Sequence, residues 1–195
     1  MEPSSNTKIY GMDEYFNEII DLYDTKKMPN KILFSGEKGM YVESDQSDAS
    51  DLYGKTKYLG EVCYKNSITL RTSIIGHELE SKKSLVDWFL SQKGIVKGFN
   101  KAIFSGLPTV EISRIIQDFV LPNKNLDGIY HLSAEPINKF DLLKLIAETY
   151  KKEIQITKDS SISINRALDS TIFRNITGFK PLSWPNLIQK MYEFK

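Results

Sequence analysis

From residue 13 onward, apolar positions switch between a helical period of three to four and short β-branched runs. The switching predicts helices and strands in turn. Tyr15, Phe16, Ile19, Ile20 and Tyr23 recur at helical spacing and predict an amphipathic helix from Asp13 to Lys27. Met28-Pro29-Asn30 ends it, because the residue before a proline avoids the helical region. Ile32-Leu33-Phe34 reads as a short strand running into the turn-rich Ser35-Gly36-Glu37-Lys38-Gly39. Glu43 to Asp51 is an acidic, polar loop with several N-cap candidates for a helix from about Leu52 to Tyr64. Ser67 to Ile75 reads as a strand with Ile68, Leu70, Thr72 and Ile74 on one face.

Ser84 opens a helix carrying Leu85, Trp88 and Phe89, and Lys93 to Phe104 reads as a turn and an extended stretch. Thr109 can cap a helix whose apolar face is Ile112, Ile115, Ile116 and Phe119. Gly128 to Leu132 is a further strand. Asn138, with Asp141 three residues on, resembles a capping box and opens a helix carrying Phe140, Leu143, Ile146, Ala147 and Tyr150. Ile154-Gln155-Ile156 is a brief strand, and residues 158–163 are the most loop-like run of the chain. Helical turns around Leu168 to Ile176 stop at Gly178, and a last helix begins near Ser183-Trp184-Pro185. Strands alternating with helices define an α/β class with a parallel sheet.

Composition narrows the classes without selecting one. With 26 basic against 25 acidic residues, the chain has no general pull toward nucleic acid or an anionic membrane. No run approaches the ~20 apolar residues of a membrane span. The polar start, Met1 to Asn6, has no signal-peptide core. Cys63 is the single cysteine, so no internal disulfide forms, and no metal-ligand spacing appears. These features point to a reducing, cytoplasmic setting.

The sharpest local chemistry is Tyr53-Gly54-Lys55-Thr56-Lys57. Residues four apart share a helix face, so a phenol would stand beside an ammonium. A nearby cation favours the phenolate and makes tyrosine a usable general acid toward a carbonyl. The lysine has donors left for a ribose hydroxyl. The plain alternative is a chance surface pair, which such spacing often produces.

The flanking residues go further. Phe34-Ser35-Gly36 followed by Asp51-Leu52-Tyr53-Gly54-Lys55-Thr56-Lys57-Tyr58-Leu59-Gly60-Glu61 resembles the extended short-chain dehydrogenase/reductase superfamily, and within it the dTDP-4-dehydrorhamnose reductase family. Leu70 to Gly76, Phe104 to Glu111, Gly128 to Ser133 and Asn165 to Ser170 agree in the same order. The resemblance implies a Rossmann-like parallel sheet, here incomplete, with a smaller C-terminal substrate-binding portion. It divides the chain into a divergent helical segment, 1–30, and the C-terminal part of an NAD(P)- and sugar-nucleotide-binding domain, 31–195.

The family reduces the 4-keto group of a nucleotide-linked deoxysugar with NADPH or NADH. By motif, Tyr53 would be the general acid and Lys57 its tuner and ribose anchor. Arg71, Thr72, Thr109 and Glu111 would meet or shape the sugar side, and Arg166 would meet the diphosphate. For Glu111, a solvated carboxylate stabilised by the helix dipole is the alternative.

Two features depart from the pattern. The family's Gly-x-x-Gly-x-x-Gly turn, which seats the cofactor pyrophosphate at a helix start, has no counterpart; Gly36 and Gly39 form a lone pair before an acidic loop. The family's Ser-Thr-Asp is replaced by Pro29-Asn30-Lys31, leaving the Asn30 amide as the donor for a substrate carbonyl. Without the leading strands, apolar residues near Ile32 to Phe34 and Ile68 to Ile75 would lie on an open edge, to be covered by the N-terminal helix, a partner or a second copy.

Two functions therefore compete: a nucleotide-sugar reductase, and a non-catalytic binding subunit of the same fold. The superfamily holds a precedent for the second in the regulatory subunit of methionine adenosyltransferase. Among the remaining residues, His77 and His131 read as structural, Trp88 and Trp184 as core, and Lys82-Lys83 and Lys151-Lys152 as solvated helix ends. Cys63 falls on the Tyr53 helix, too far along its axis to serve the pair.

Overall fold

A computed structural model describes residues 34–48, 52–78 and 84–195. The expected helix at Asp13 to Lys27, Asn30, residues 32 and 33, and Lys82-Lys83 lie outside the described residues.

Helix α1, Leu52–Leu59, leads into strand β1, Ile68–Arg71, and the short β2, Ile74–Ile75. Helix α2, Leu85–Ser91, starts at Ser84, whose hydroxyl accepts from the Asp87 N–H. Strand β3, Ile95–Phe104, and β4, Leu107–Pro108, precede α3, Thr109–Ile115, which widens into a π turn at Ile116–Val120. Pro108, not Thr109, is the N-cap; proline lacks the N–H that a helix start leaves unused.

Strand β5, Gly128–His131, and β6, Ile137–Asn138, lead to α4, Lys139–Thr149. Asn138 caps α4 by accepting from the Asp141 N–H at 2.9 Å. Strand β7, Gln155–Asn165, is followed by α5, Thr171–Thr177, which Gly178 ends at φ 73°, and by α6, Trp184–Glu193.

The class is α/β with parallel strands, as the alternation of elements requires. Strand β1 pairs parallel with β5, Ile68 opposite Gly128 through Arg71 opposite His131. Strand β2 pairs parallel with β4. The third sheet has the order β6-β3-β7, antiparallel then parallel.

Here the sequence reading needs correction. Residues 158–163 belong to β7 rather than to a loop. The polar run sits on the outer strand of its sheet, and the pairing jumps from Phe99–Asp159 to Lys101–Ser163. That bulge leaves a serine-rich stretch outside the ladder, so its composition imitates a loop.

The core lies between the sheets and α3, α4 and α6. Trp184, Leu187, Ile188 and Met191 are buried at i, i+3, i+4 and i+7, one stripe of α6. Each such side chain contributes about 1.5–3 kcal/mol on leaving water. Leu142, Leu143 and Ile146 of α4 meet them. Trp184 is in the core as expected, but Trp88 is 39% exposed. Helix α2 turns Val86 and Phe89 inward, which places Trp88 toward its edge. On the β1 side, Ile75 is buried while Ile74 is 51% exposed.

Among the described residues, no helix is long and apolar enough to cross a membrane, and no cluster of side chains could hold a metal ion.

Candidate active site

Helix α1 ends at Leu59, a turn earlier than its apolar pattern predicts, and Cys63 is exposed beyond it. Within the helix, Tyr53 and Lys57 are both half-buried on one face. The Lys57 ammonium stands 5.4 Å from the centre of the Tyr53 ring. Partial burial holds Lys57 below the ordinary lysine value.

What holds α1 near β1 is the segment that follows it. Val62 exchanges two hydrogen bonds with the Thr69 hydroxyl, at 3.1 and 2.9 Å. Glu61 receives Arg71 through both carboxylate oxygens, Nε to Oε1 at 2.6 Å and Nη2 to Oε2 at 2.8 Å. Both side chains are about nine-tenths buried. Arg71 Nη1 also donates to the Glu43 carbonyl at 3.2 Å and meets His131 Nε2 at 3.3 Å.

The His131 ring is thereby fixed. Its Nδ1 faces the Tyr41 carbonyl at 2.9 Å, which only accepts, and its Nε2 faces a guanidinium, which only donates. The ring is the neutral Nδ1–H tautomer. Burial, assisted by the Arg71 charge and opposed by Glu43, holds it below the usual histidine value. The folded state thus binds the histidine proton less readily than the unfolded chain. The contribution is full above the ordinary value of 6.5 and is lost as pH falls below it. A ¹⁵N NMR titration is expected to show Nδ1–H and a midpoint below 6.5.

Tyr41 is the residue that sequence reasoning missed. Its ring stacks on Phe34 at 4.2 Å, and its phenol oxygen accepts from the Gly36 N–H at 3.0 Å and the Lys38 N–H at 3.3 Å. Asp48, just ahead of α1, accepts from both the backbone and the hydroxyl of Ser35. No regular spacing marks these links, because they close an irregular turn rather than follow a helix or strand period.

The other expected site residues have local partners of their own. Thr72 is half-buried, its hydroxyl 3.3 Å from the Ser73 carbonyl. Thr109 is exposed at the start of α3, beside Gly76. Glu111 is not a solvated carboxylate: it is fully buried, paired with Arg114 at 2.7 Å and Lys190 at 3.2 Å. Burial raises its pKa, but hydrogen bonds from Arg114 and Lys190 outweigh that and hold it below the usual carboxylate value. Arg166 donates its N–H to the Ile103 carbonyl at 3.2 Å.

His77 and Lys152 also have internal partners. His77 bridges Asp87 and Tyr150, each at 2.7 Å. Lys152, expected in solvent, donates to the Leu90 carbonyl at 2.6 Å.

The Gly36–Gly39 turn does not fit a pyrophosphate. Both glycines have positive φ, 91° and 69°. A side chain on Gly36 would strike Ile164 and Arg166, and one on Gly39 would strike Asn165. The glycines admit the end of β7, not a ligand. Tyr53 and Lys57 present a phenol and an ammonium, groups chemically able to hydrogen-bond a ribose hydroxyl.

The arrangement of β1, β5 and the flanking helices is that of the Rossmann-fold reductases and epimerases. Among solved structures, the chain is similar to dTDP-4-dehydrorhamnose reductases. The Bacillus anthracis enzyme in complex with NADP is 18% identical with a TM-score of 0.68, over 84% of this chain and 62% of that one. The Yersinia enterocolitica enzyme is 21% identical with a TM-score of 0.64, over 83% and 63%. A hypothetical dTDP-4-dehydrorhamnose reductase from Sulfolobus tokodaii is 26% identical with a TM-score of 0.60, over 78% and 58%. The matched region thus spans about three-fifths of these structures' length. No family model and no curated protein matches the sequence.

Proposed function

We propose that this chain carries the acid–base pair and the substrate side of a nucleotide-sugar reductase. The reaction is reduction of the 4-keto group of a dTDP-linked deoxysugar. The observation that carries the reading is the Lys57 ammonium facing the Tyr53 ring across one helical turn. In this reading the Tyr53 O–H donates its proton to the carbonyl oxygen as negative charge builds there. The Lys57 charge lowers the energy of the phenolate left behind. NADPH or NADH, when bound, supplies the hydride.

Thr72, Thr109 and Arg166 face the sugar nucleotide in the same reading. Arg71 and Glu111 act as positioning residues, since both charged groups are satisfied within the chain. One observation favours a second reading, a non-catalytic nucleotide-sugar-binding subunit: the Gly36–Gly39 turn is filled by β7.

Calorimetric titration of the purified chain with a dTDP-sugar and, separately, with NADPH tests both readings. The reductase reading expects saturable binding of the sugar nucleotide and of NADPH. Sugar binding without NADPH binding selects the second reading. Binding of neither would refute both.

A further inference from the structure

We propose that the cleft between β3, β7 and the turn at Gly36 is a binding site for a neutral, hydroxyl-rich ligand the size of one sugar ring. The inference stands apart from the Tyr53–Lys57 reading, because it rests on the cleft's own groups.

The cleft, about 370 Å³, lies where the β3–β7 ladder is interrupted. Between the pairs Phe99–Asp159 and Lys101–Ser163, β3 passes through Asn100 alone, while β7 passes through Ser160, Ser161 and Ile162. Such a bulge breaks the ladder and re-aims side chains. The Ser160 hydroxyl donates to Asn100 Oδ1 at 2.8 Å across it. The turn closes the cleft from another side: the Asn165 N–H donates to the Gly36 carbonyl at 2.7 Å. Gly36 has no room for a side chain, so the turn lies directly against Ile164.

The lining offers polar groups that the fold does not use. Asn165 accepts the Ala167 N–H through Oδ1 at 3.1 Å. A backbone N–H only donates, so this contact fixes the amide and leaves its NH2 as the free end. Asn100 likewise engages its oxygen. The side chains of Glu37, Lys101 and Ser163 are exposed and make no hydrogen bond or ion pair among the described residues. The remaining walls are Ile103 and Ile164, both half-buried.

These groups select a ligand class. An anion would meet the Glu37 charge, and a cation the Lys101 charge. A carboxylate only accepts and an ammonium only donates, whereas a hydroxyl does both and answers each of them. The isoleucines suit the C–H faces of a saturated ring. Ligand pockets run from roughly 300 to 1,000 Å³, so this cleft suits one ring and is too small for a dinucleotide. A sugar ring has the required hydroxyl edges, apolar faces and size. It comes either free or linked to a nucleotide.

The experiment follows the side-chain NH2 signals of Asn100 and Asn165 in the ¹⁵N-labelled protein. Each of D-glucose, L-rhamnose, D-glucuronate, dTDP and dTDP-D-glucose is titrated separately. The expected result is that glucose or rhamnose moves both signals saturably in the millimolar range, while glucuronate binds more weakly. The K101M and S163A variants are expected to melt with the parent and to lose sugar affinity by about threefold to tenfold. Glu37→Gln is expected to improve glucuronate binding. If dTDP-D-glucose moves the same signals at lower concentration than glucose, the sugar arrives on a nucleotide. If it does not, the site serves free saccharide.

The parent's signals are read without any variant, so misfolding of a variant cannot decide the matter. Unmoved Asn100 and Asn165 signals with every sugar overturn the site. So does dTDP alone moving them as far as dTDP-D-glucose, or unchanged sugar affinity in both K101M and S163A. Glucuronate binding as tightly as glucose overturns the neutral class. Calorimetric binding of dTDP-D-glucose with both signals unmoved overturns the cleft and leaves the nucleotide-sugar reading standing.

Discussion

Replacing Arg71 with methionine is expected to destabilise the protein by about 3–5 kcal/mol, the range for breaking a buried ion pair from one side. The Glu61 carboxylate, about nine-tenths buried, would lose both of its hydrogen bonds to the guanidinium. The Glu43 carbonyl and His131 Nε2 would lose a donor. For a chain of this length the loss corresponds to a fall in Tm of roughly 10 °C. The double variant Glu61→Leu/Arg71→Met should recover much of the loss, because no uncompensated charge remains. Thermal melts of the three variants decide the matter. If Arg71→Met melts within a degree or two of the parent, the pair does not hold β1 to the segment after α1.

A second large effect is expected at Glu111. Glu111→Gln should cost about 3 kcal/mol at neutral pH, the low end for a buried pair, because Arg114 and Lys190 are each about one-third exposed and water can reach them. The folded-state carboxyl is held below its ordinary value of 4.5. Its contribution is therefore fully present above that value and lost as pH falls through the lower folded value. Urea denaturation of parent and variant should show a gap that is wide at pH 7 and closes in strong acid. A gap independent of pH would mean that the ionised carboxylate is not the source of the effect.

Glu111 also shows what a local pattern leaves open. At the third position of a helix, a carboxylate reads equally well as a solvated dipole partner. Its burial was decided by α6, which places Lys190 against it from 79 residues away. Arg71 is similar. Its place at the end of β1 was legible from β-branched alternation, but its partners come from Glu61, the 43–45 loop and β5. Trp88 and residues 158–163 were misread for a related reason. Exposure depends on which elements pack alongside, and an outer strand needs little apolar composition to be held by its one neighbour.

By itself, the sequence determined the order of strands and helices, most caps, and the pairing of Tyr53 with Lys57. These depend on residues within a turn or two of each other, where backbone geometry alone sets the distances. Only the tertiary structure decided that His131 is held neutral and that Asn138 and Arg166 flank Ile103. Such contacts join side chains tens of residues apart. They arise when separate elements are packed into one core, and no spacing along the chain encodes them.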